Sequence, residues 1–592
     1  MRKLCLLICF LFAGWDCANC NASAQQMSVH RDDQPALGQN SLRQPNVPEG
    51  EWLEFSLGSS RFYPGSLRRV EVYIPAQYRA EHPACVMIMF DGIGFEAPVV
   101  VDNLIHRGEM PVTVVIGIRH GTTPAPLENA GRHDRSLGYD TLNGDMARFI
   151  LEEVLPEVER RRTVAGLPIV LSRDPNDRAA VGGSSGGIAA FTLAWERPDA
   201  FRRVFSAVGS FVDLRGGDVY PSLIRKTEPK PIRVFLQDGT NDNLDTLLGE
   251  MGQWHLSNVM MLSALEFAGY DVAHVWGDGG HSGRHATNIF PEVMRFLWRD
   301  YPMPIEARPS RNVALGEILA PDEAWEMVQG DYGAAVALAV APSGDLAMSD
   351  GASIWRVSQT DLRREPMSAR GGHALAYGSD SRLSVASAGG LTRYDVSGSP
   401  REDLARIAAT RFVVTAEGDA YALEPRTRDH SGRLWLLRAS GVRVLLDDEL
   451  DDPSAIAISP DGFWLAVAQR HSPWGYNYAI TPDGGVAHRM RFYLFDIGGD
   501  GENASVTDMA MDRFGYLYAA TRLGVQVLDR NGRTRAIIPA PGGVVRALSF
   551  ADADFGSLYV AGGDGRLYRR RMRTRGAPAW HEAIELPENP WW

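Results

Sequence analysis

The sequence predicts a multidomain chain, a doubly wound α/β sandwich followed by an all-β six-bladed propeller. Three observations carry this prediction. Up to about residue 303, continuous apolar runs alternate with helical segments, as in a parallel sheet covered on both faces. The same half contains a glycine-rich strand, turn and helix at residues 181–191. Beyond residue 312, short strands separated by Gly and Asp turns recur about every forty residues, which is typical of a propeller.

The first 24 residues predict a secretory signal peptide. Arg2 and Lys3 precede an apolar run from Leu4 to Ala13, and Ala22-Ser23-Ala24 is a small-residue cleavage pattern. The apolar run is too short to span a membrane as a mature helix. The mature protein is therefore expected to be secreted or periplasmic, with no membrane segment. A retained N-terminal anchor is the alternative.

Composition divides the remaining chain into two linkers and two domains. Residues 25–50 are polar and contain many Pro, Gln and Asn, which predicts a flexible linker. The α/β domain is expected over residues 51–303, a Pro-rich linker over 304–316 and the propeller over 317–592. The oligomeric state is not specified by these patterns.

Net charge and cysteine content exclude several kinds of partner and site. The formal net charge of −13 argues against nucleic acid or an anionic membrane as a partner. Four of the five cysteines lie in or beside the signal peptide, and Cys85 stands alone in a predicted strand. The mature chain can therefore form neither a disulfide framework nor a cysteine-based metal site.

Apolar runs and helical segments predict the layout of the α/β domain. Ala84–Phe90, Val112–Ile118 and Ile232–Gln237 are expected to be buried parallel strands. Met146–Arg161 and Asn288–Arg299 are expected to be helices. In such a sheet the active groups lie in loops at the carboxyl ends of strands.

The first such loop predicts a nucleophile elbow. Gly183-Ser184-Ser185-Gly186-Gly187 contains the pattern G-x-S-x-G between a short strand and a helix, which makes Ser185 the candidate nucleophile. The N–H of Gly186, at the helix start, is a candidate oxyanion donor. A phosphate-binding loop is the alternative, but it would end in Lys-Ser or Lys-Thr, and Ile188 follows here.

Two further loops supply an acid and a base. Asp242 lies in the loop after the strand that ends at Gln237, and His281 lies in the loop after Trp276. The order Ser185, Asp242, His281 is that of α/β-hydrolases. His285 is the competing base, and two other carboxylates compete with Asp242: Asp238 and Asp245.

Four more residues are candidates for substrate contact. The second oxyanion donor is expected from the backbone N–H of Gly92 or Ile93, after the strand ending at Phe90. Arg135 is a candidate contact for an anionic group, and Trp254 either lines the acyl or sugar pocket or belongs to the core. No metal or cofactor is predicted.

Residues from about 52 to 302 resemble the enterochelin-esterase-like branch of serine esterases, which is related to feruloyl and acetyl-xylan carbohydrate esterases. The resemblance rests on these segments: Phe62–Gly65, Val72–Tyr78, Phe90–Gly92, Asp102–Ile105, Tyr139–Leu142, the elbow, Gln237–Asp242 and Gly277–Gly283. It implies an α/β-hydrolase fold with Ser185, Asp242 and His281 as the catalytic triad. The chain departs from the family at Gly138, where relatives tend to carry Glu.

The second half contains six similar strand-rich units. They centre on Val336–Val357, His373–Val396, Arg411–Leu437, Ser454–Ile480, Thr507–Asp529 and Arg546–Met572. A β-sandwich with irregular strands is the alternative, which the repeat disfavours. Segments such as Ile456–Gly462 and Leu517–Val527 resemble gluconolactonase (regucalcin-like) propellers.

The gluconolactonase resemblance implies one divalent cation on the propeller axis, held by Glu, two Asn and Asp. This chain lacks those ligands at the corresponding segments, which read Val336-Ala337-Leu338, Thr410-Arg411, Pro453-Ser454-Ala455 and Thr507-Asp508-Met509. Valine cannot bind a metal, and Arg411 brings a positive charge. The propeller is therefore expected to be non-catalytic, either binding saccharide or shaping the esterase cleft.

The expected function is that of a secreted serine esterase acting through an acyl-enzyme on Ser185. Its expected partner is a small-molecule or polysaccharide ester, either a carbohydrate ester or an aromatic-acid ester. One alternative is esterase activity on a siderophore trilactone of the enterochelin type. The others are an aldonolactone hydrolase acting at the propeller and a non-catalytic binding protein.

Overall fold

The structure is a computed structural model that describes residues 37–126, 130–243, 249–328, 335–395, 399–499 and 503–588. The predicted signal peptide, residues 1–24, and the first part of the predicted linker 25–50 lie outside these ranges. In the stretches that are described, no helix is both long enough and apolar enough to cross a membrane.

One eight-stranded sheet carries the first domain. Its order is β1-β2-β4-β3-β7-β8-β9-β10, in which β1 and β2 are antiparallel and every pair from β4 to β10 is parallel. The predicted doubly wound α/β fold is therefore confirmed. The strands are β1 Glu51–Leu57, β2 Arg68–Ile74, β3 Cys85–Phe90, β4 Thr113–Ile118, β7 Arg178–Gly183, β8 Arg203–Ala207, β9 Arg233–Gly239 and β10 Asp271–Gly277, with a separate ribbon of β5 Thr122–Thr123 and β6 Arg132–His133.

Helices cover both faces of this sheet and enclose two apolar cores. The helices are α1 Ala97–His106, α2 Arg135–Tyr139, α3 Asp145–Phe149, α4 Leu155–Arg160, α5 Ser185–Glu196, α6 Tyr220–Lys226, α7 Trp254–Phe267, α8 Gly283–Trp298 and α9 Val313–Ile318. One core packs α5, α6 and α7 on the sheet, and the other packs α1 and α8 on the opposite face. The predicted helix over 146–161 is interrupted by a π-helical turn, Ile150–Val154.

The second domain is a propeller of six four-stranded antiparallel sheets, as predicted. The blades in order are β12 Ala337–Val340, β13 Leu346–Ser349, β14 Ser353–Val357 and β15 Arg364–Arg370; β16 Ala374–Tyr377, β17 Leu383–Ser387, β18 Gly390–Tyr394 and β19 Pro400–Ala405; β20 Arg411–Val414, β21 Ala420–Glu424, β22 Gly432–Leu437 and β23 Arg443–Leu450; β24 Pro453–Ile458, β25 Trp464–Gln469, β26 Trp474–Ile480 and β27 Val486–Leu494; β28 Asp508–Met511, β29 Leu517–Thr521, β30 Gly524–Leu528 and β31 Thr534–Ile538; β32 Val545–Ala551, β33 Ser557–Gly562 and β34 Leu567–Arg571 with β11 Glu326–Met327. The sixth blade takes its outer strand from the start of the domain, because β11 pairs with β34 and so closes the ring.

The two domains are joined by backbone pairing as well as by side chains. The N–H of Glu228 donates to the carbonyl of Ile537 at 2.9 Å, and Ile537 is part of the apolar core of the α/β domain. The Glu228 carboxylate also accepts two bonds of 2.7 Å from Arg570, whose side chain is 5% exposed. Lys226 adds a bond of 2.8 Å to Asp496. The propeller is therefore fixed to the helix α6 side of the α/β domain.

Replacing Glu228 by Gln is expected to weaken this interface, because it leaves the buried Arg570 guanidinium without its counter-charge. The expected loss is about 1–3 kcal/mol in the free energy of unfolding. Differential scanning calorimetry of the full chain measures it. Glu365→Gln is the matched control, since Glu365 pairs with Arg356 but is 60% exposed, and it should cost less than about 0.5 kcal/mol. Equal effects of the two substitutions would contradict the assignment.

Candidate active site

A sharp turn between β7 and α5 presents a single serine to solvent. The strand ends at Gly183 and the helix begins at Ser185, so Ser184 alone connects them. Its backbone has φ 58° and ψ −125°, a strained conformation for a residue with a side chain. Gly182 and Gly186 make the turn possible, because a Cβ on Gly182 would overlap the backbone of Gly186. This is the geometry of a nucleophile elbow centred on Ser184.

Ser184 begins a continuous chain of hydrogen bonds with His281 and Asp242. The Oγ of Ser184 lies 2.8 Å from Nε2 of His281, and Nδ1 of His281 lies 2.8 and 2.9 Å from the two carboxylate oxygens of Asp242. Asp242 is fully buried. A buried carboxylate at Nδ1 favours the tautomer in which Nε2 is free to accept a proton. We refer to these three residues as the Ser–His–Asp chain.

The prediction that Ser185 pairs with His281 is wrong by one residue. Ser185 is the first residue of α5 and is buried, and its Oγ accepts a bond of 2.9 Å from Nη1 of Arg135. The pattern G-x-S-x-G occurs in two overlapping registers, Gly182–Gly186 and Gly183–Gly187. The first is the register that the fold uses, because β7 extends to Gly183 and the strained position falls on Ser184.

Asp238, which competes with Asp242 as the candidate acid, lies next to it in the interior of the domain. Asp238 is fully buried, and it accepts bonds from the N–H of Gly239 at 2.7 Å and from Nδ2 of Asn258 at 2.8 Å. Burial and the adjacent carboxylate of Asp242 raise the pKa of Asp238 far above its usual range. This shift favours the protonated form of Asp238, and the carboxylate that bonds to His281 is that of Asp242. Asp245 lies outside the described residues.

The competing base, His285, points away from the serine. It is 3% exposed on α8, and its Nδ1 lies 3.2 Å from Nε2 of Gln237. Its ring also lies against Gly277, where a Cβ would come within 2.6 Å of Nδ1. His281 is the histidine that the structure brings to Ser184.

Arg135 lies at the edge of the elbow and is held there by Asp91. Its Nε and Nη2 donate to the Asp91 carboxylate at 2.7–3.2 Å, while Nη1 donates to Ser185. About a third of the side chain is exposed. Burial raises the pKa of Asp140 on the other side of Ser185, although hydrogen bonds with Ser185 and Ser136 oppose this effect. Sequence reasoning missed the supporting roles of Asp91 and Asp140, although both lie in segments that carry the family resemblance.

The predicted oxyanion donors have different outcomes. The N–H of Ile93 donates to the Glu71 carboxylate at 3.0 Å, so the prediction for Ile93 is wrong. Gly186 lies two residues after Ser184, and the residue that follows the serine directly is Ser185. The first N–H groups of a helix have no partner within the helix, so the N–H of Ser185 has no acceptor within α5. The donor role of Gly92 stays a prediction.

The Trp254 side chain is buried against the His281 ring and does not line an open pocket. The indole is 1% exposed, its Nε1 donates to Oγ of Ser210 at 3.0 Å, and its ring meets the His281 ring edge-on at 5.7 Å. Ser210 in turn lies 3.3 Å from Oγ of Ser184. The prediction of substrate contact is therefore wrong for Trp254, and the core alternative holds.

Position 138, where this chain has Gly and relatives tend to carry Glu, also lies inside the domain. A Cβ on Gly138 would approach Nη2 of Arg68 at 3.1 Å and Cε of Met146 at 3.0 Å. Arg68 is 1% exposed and is bonded to Asp134 at 2.7 Å. A side chain at position 138 would therefore begin next to a buried arginine.

The propeller axis does not fit a divalent metal ion. The Arg411 side chain lies at the starts of the innermost strands, with its Nη1 2.7 Å from the carbonyl of His373. A guanidinium at this position repels a second cation. Among the residues for which the structure gives placements, no group of three or more His, Cys, Asp or Glu could hold a metal.

Replacing Gly182 by Ala is expected to destabilise the elbow, because the added methyl group collides with the Gly186 backbone. The expected cost is about 1–3 kcal/mol or more, together with loss of any activity that depends on Ser184. Thermal unfolding measures the first effect. Gly94→Ala is the matched control, since no atom lies within 4 Å of the position that its Cβ would take. Equal stability of the two variants would contradict the assigned turn.

The protonated state of Asp238 predicts a pH dependence of stability. The folded chain holds the proton on Asp238 because burial raises its pKa, while the unfolded chain releases it near pH 4. Stability therefore falls as the pH rises above that value until the raised pKa is passed. Asp238→Asn cannot ionise and should lose this part of the pH dependence. Melting temperatures from about pH 5 to pH 9 test it, with the exposed Asp448→Asn as control. A variant with the wild-type slope would refute the assignment.

Comparison with known proteins finds similarity to one family model and to several solved structures. Residues 63–297 match the family model described as Putative esterase. Among solved structures, the chain is similar to a gluconolactonase of Xanthomonas campestris, with 22% identity and TM-score 0.39 over 44% of this chain and 92% of that chain. It is also similar to a ferulic acid esterase, with 17% identity and TM-score 0.34 over 42% of this chain and 99% of that chain. A third similar structure is the enterobactin esterase of Shigella flexneri, with 20% identity and TM-score 0.34 over 45% of this chain and 63% of that chain.

A search of curated proteins finds no match. The solved structures above are all under 25% identical to this chain, with TM-scores below 0.5. The family model covers the segment that contains the elbow and both partners of Ser184. The α/β domain is thus similar over residues 63–297 to the family described as Putative esterase, and a six-bladed propeller follows it.

Proposed function

We propose that the chain is a serine esterase that cleaves a carboxylic ester through an acyl-enzyme on Ser184. The observation that carries this proposal is the Ser–His–Asp chain, in which Ser184 Oγ and His281 Nε2 are 2.8 Å apart. That distance is within direct proton-transfer reach of a general base. The proposal retains the predicted acid Asp242 and base His281 and replaces Ser185 by its neighbour.

In the proposed acylation, Ser184 attacks the ester carbonyl carbon while Nε2 of His281 removes the hydroxyl proton. The tetrahedral intermediate then collapses, the ester C–O bond breaks, and His281 returns the proton to the leaving alcohol. Asp242 holds the imidazole and stabilises its positive charge during both transfers. Water repeats the sequence in the second half of the reaction and releases the acid, which regenerates Ser184.

Two backbone N–H groups are proposed to bind the developing oxyanion. Ser185 supplies one from the first turn of α5, where the positive end of the helix dipole adds to the hydrogen bond. Gly92 supplies the other from the loop after β3. The end of β3 packs on the elbow, because a Cβ on Gly186 would lie 3.0 Å from Cβ of Phe90.

The proposed substrate is an ester of a carbohydrate or of an aromatic acid, either small or part of a polysaccharide. Arg135 supports a polar or anionic group next to the scissile bond, because it bonds to the residue after Ser184 and keeps an exposed face. Cleavage of a siderophore trilactone would use the same Ser–His–Asp chain. Export through the predicted signal peptide is part of the proposal, and N-terminal sequencing of the mature protein tests it.

The sharpest test compares two adjacent serines. Ser184→Ala should lower kcat/KM on p-nitrophenyl acetate and methyl ferulate by about 10⁴-fold or more, since it removes the attacking oxygen. Ser185→Ala should retain activity within about 100-fold, because Ser185 contributes a backbone N–H that alanine preserves. Steady-state assays of both variants beside wild type measure the difference.

Covalent labelling identifies the residue directly. A fluorophosphonate should modify wild type and Ser185→Ala but not Ser184→Ala, and tandem mass spectrometry should place the adduct on Ser184. An adduct on Ser185, or full activity in Ser184→Ala, would refute the mechanism. Wild type without activity on any ester would favour the binding-protein alternative.

A further inference from the structure

One arginine stands at the centre of the propeller where the six innermost strands begin. Arg411 is the first residue of β20, and its guanidinium donates four bonds to backbone carbonyls. Nε donates to Thr507 at 3.1 Å, Nη1 to His373 at 2.7 Å and to Thr410 at 3.0 Å, and Nη2 to Val336 at 3.4 Å. Each of these four carbonyls belongs to the residue that directly precedes an innermost strand.

Two threonine hydroxyls extend this cluster to the remaining blades. Oγ1 of Thr410 donates to the carbonyl of Pro453 at 3.3 Å, and Oγ1 of Thr507 donates to the carbonyl of Val545 at 3.1 Å. Pro453 begins the innermost strand of blade four, and Val545 begins that of blade six. One guanidinium and two hydroxyls therefore tie together the starts of all six innermost strands. We call this set the axial cluster.

The charge of the axial cluster is balanced by Asp508. Its Oδ1 lies 3.8 Å from Nε of Arg411, and its two oxygens also accept N–H bonds from Met509 and Leu548 at 3.0 and 3.1 Å. Both side chains are less than a fifth exposed. Burial raises the pKa of the Asp508 carboxyl, and the neighbouring Arg411 opposes that rise. The carboxylate needs a permanent cation beside it to stay charged.

Carbonyl oxygens and a carboxylate are the donors that hard divalent cations such as Ca²⁺ prefer. In the axial cluster four carbonyls and one carboxylate surround a single positively charged group, but that group is the protein's own guanidinium. We infer that Arg411 is a built-in axial cation, which ties the blades together in the position of a metal ion and makes this propeller independent of metal. The inference concerns the propeller alone and does not rest on the proposed esterase function.

The test removes the guanidinium and offers calcium in its place. Arg411→Ser leaves the oxygen atoms of the cluster and opens space between them. We expect the melting temperature of the full-length variant to fall by about 5 °C or more, and about 1 mM CaCl₂ to restore a large part of that loss. Wild type should neither gain stability from CaCl₂ nor lose it in EDTA.

Two further variants separate this role from simple loss of an arginine. Arg438→Ser is the matched control, because Arg438 bridges to Asp419 at 2.7 Å on the same blade but away from the axis. It should lose stability without any response to calcium. Arg411→Lys keeps the charge but not the planar donor geometry, so it should retain stability only in part and should not respond to calcium.

Three results would overturn the inference. The first is stoichiometric calcium binding to wild type in isothermal titration calorimetry. The second is an Arg411→Ser melting temperature that equals that of wild type. The third is an Arg411→Ser protein that calcium does not stabilise, which includes a variant that is insoluble both with and without CaCl₂.

Discussion

The close approach of Gly182 to Gly186 is the constraint on which the site depends. Because no side chain fits between the two glycines, the chain can leave β7 and enter α5 within a single residue, Ser184. The same contact sets the N-terminus of the helix, and with it the backbone N–H groups beside the serine. His281 and Asp242 then need only lie at the ends of β10 and β9, which parallel pairing brings to the same edge of the sheet.

Several polar groups in the interior of the domain contact the residues at this edge of the sheet and hold them in place. Asp238 and Asn258 support Asp242, the Trp254 indole backs the His281 ring, and Arg135 bonds to Ser185. These groups are almost fully buried except Arg135, so each must be hydrogen-bonded to be tolerated. Together with the Asp242 carboxylate they hold the imidazole of His281 next to Ser184.

Sequence patterns predicted the two folds and the pairing of Asp242 with His281, because each depends on periodicity or on a position after a strand. The patterns gave wrong predictions where the answer depends on the exact position of a single residue. The two registers of G-x-S-x-G differ only in where β7 ends, and periodicity does not define strand ends to one residue. The burial of Trp254 and the bond from Ile93 to Glu71 depend on contacts between distant segments, which no local pattern contains. The positive charge of Arg411 was visible in the sequence, but its hydrogen bonds to other blades were not.

Gly499 of the propeller lies against the α/β domain near the segment that contains Asp140. Gly499 packs against Leu142 and Gly216, so closely that a Cβ on Gly499 would collide with the Leu142 side chain. Leu142 lies two residues after Asp140, which interacts with Ser185 beside the nucleophilic position. This contact adds to the bonds at the end of helix α6 that join the propeller to the domain that carries Ser184. Under the proposed function, ester cleavage takes place at Ser184, and the propeller contributes by packing against the segment from Asp140 to Leu142.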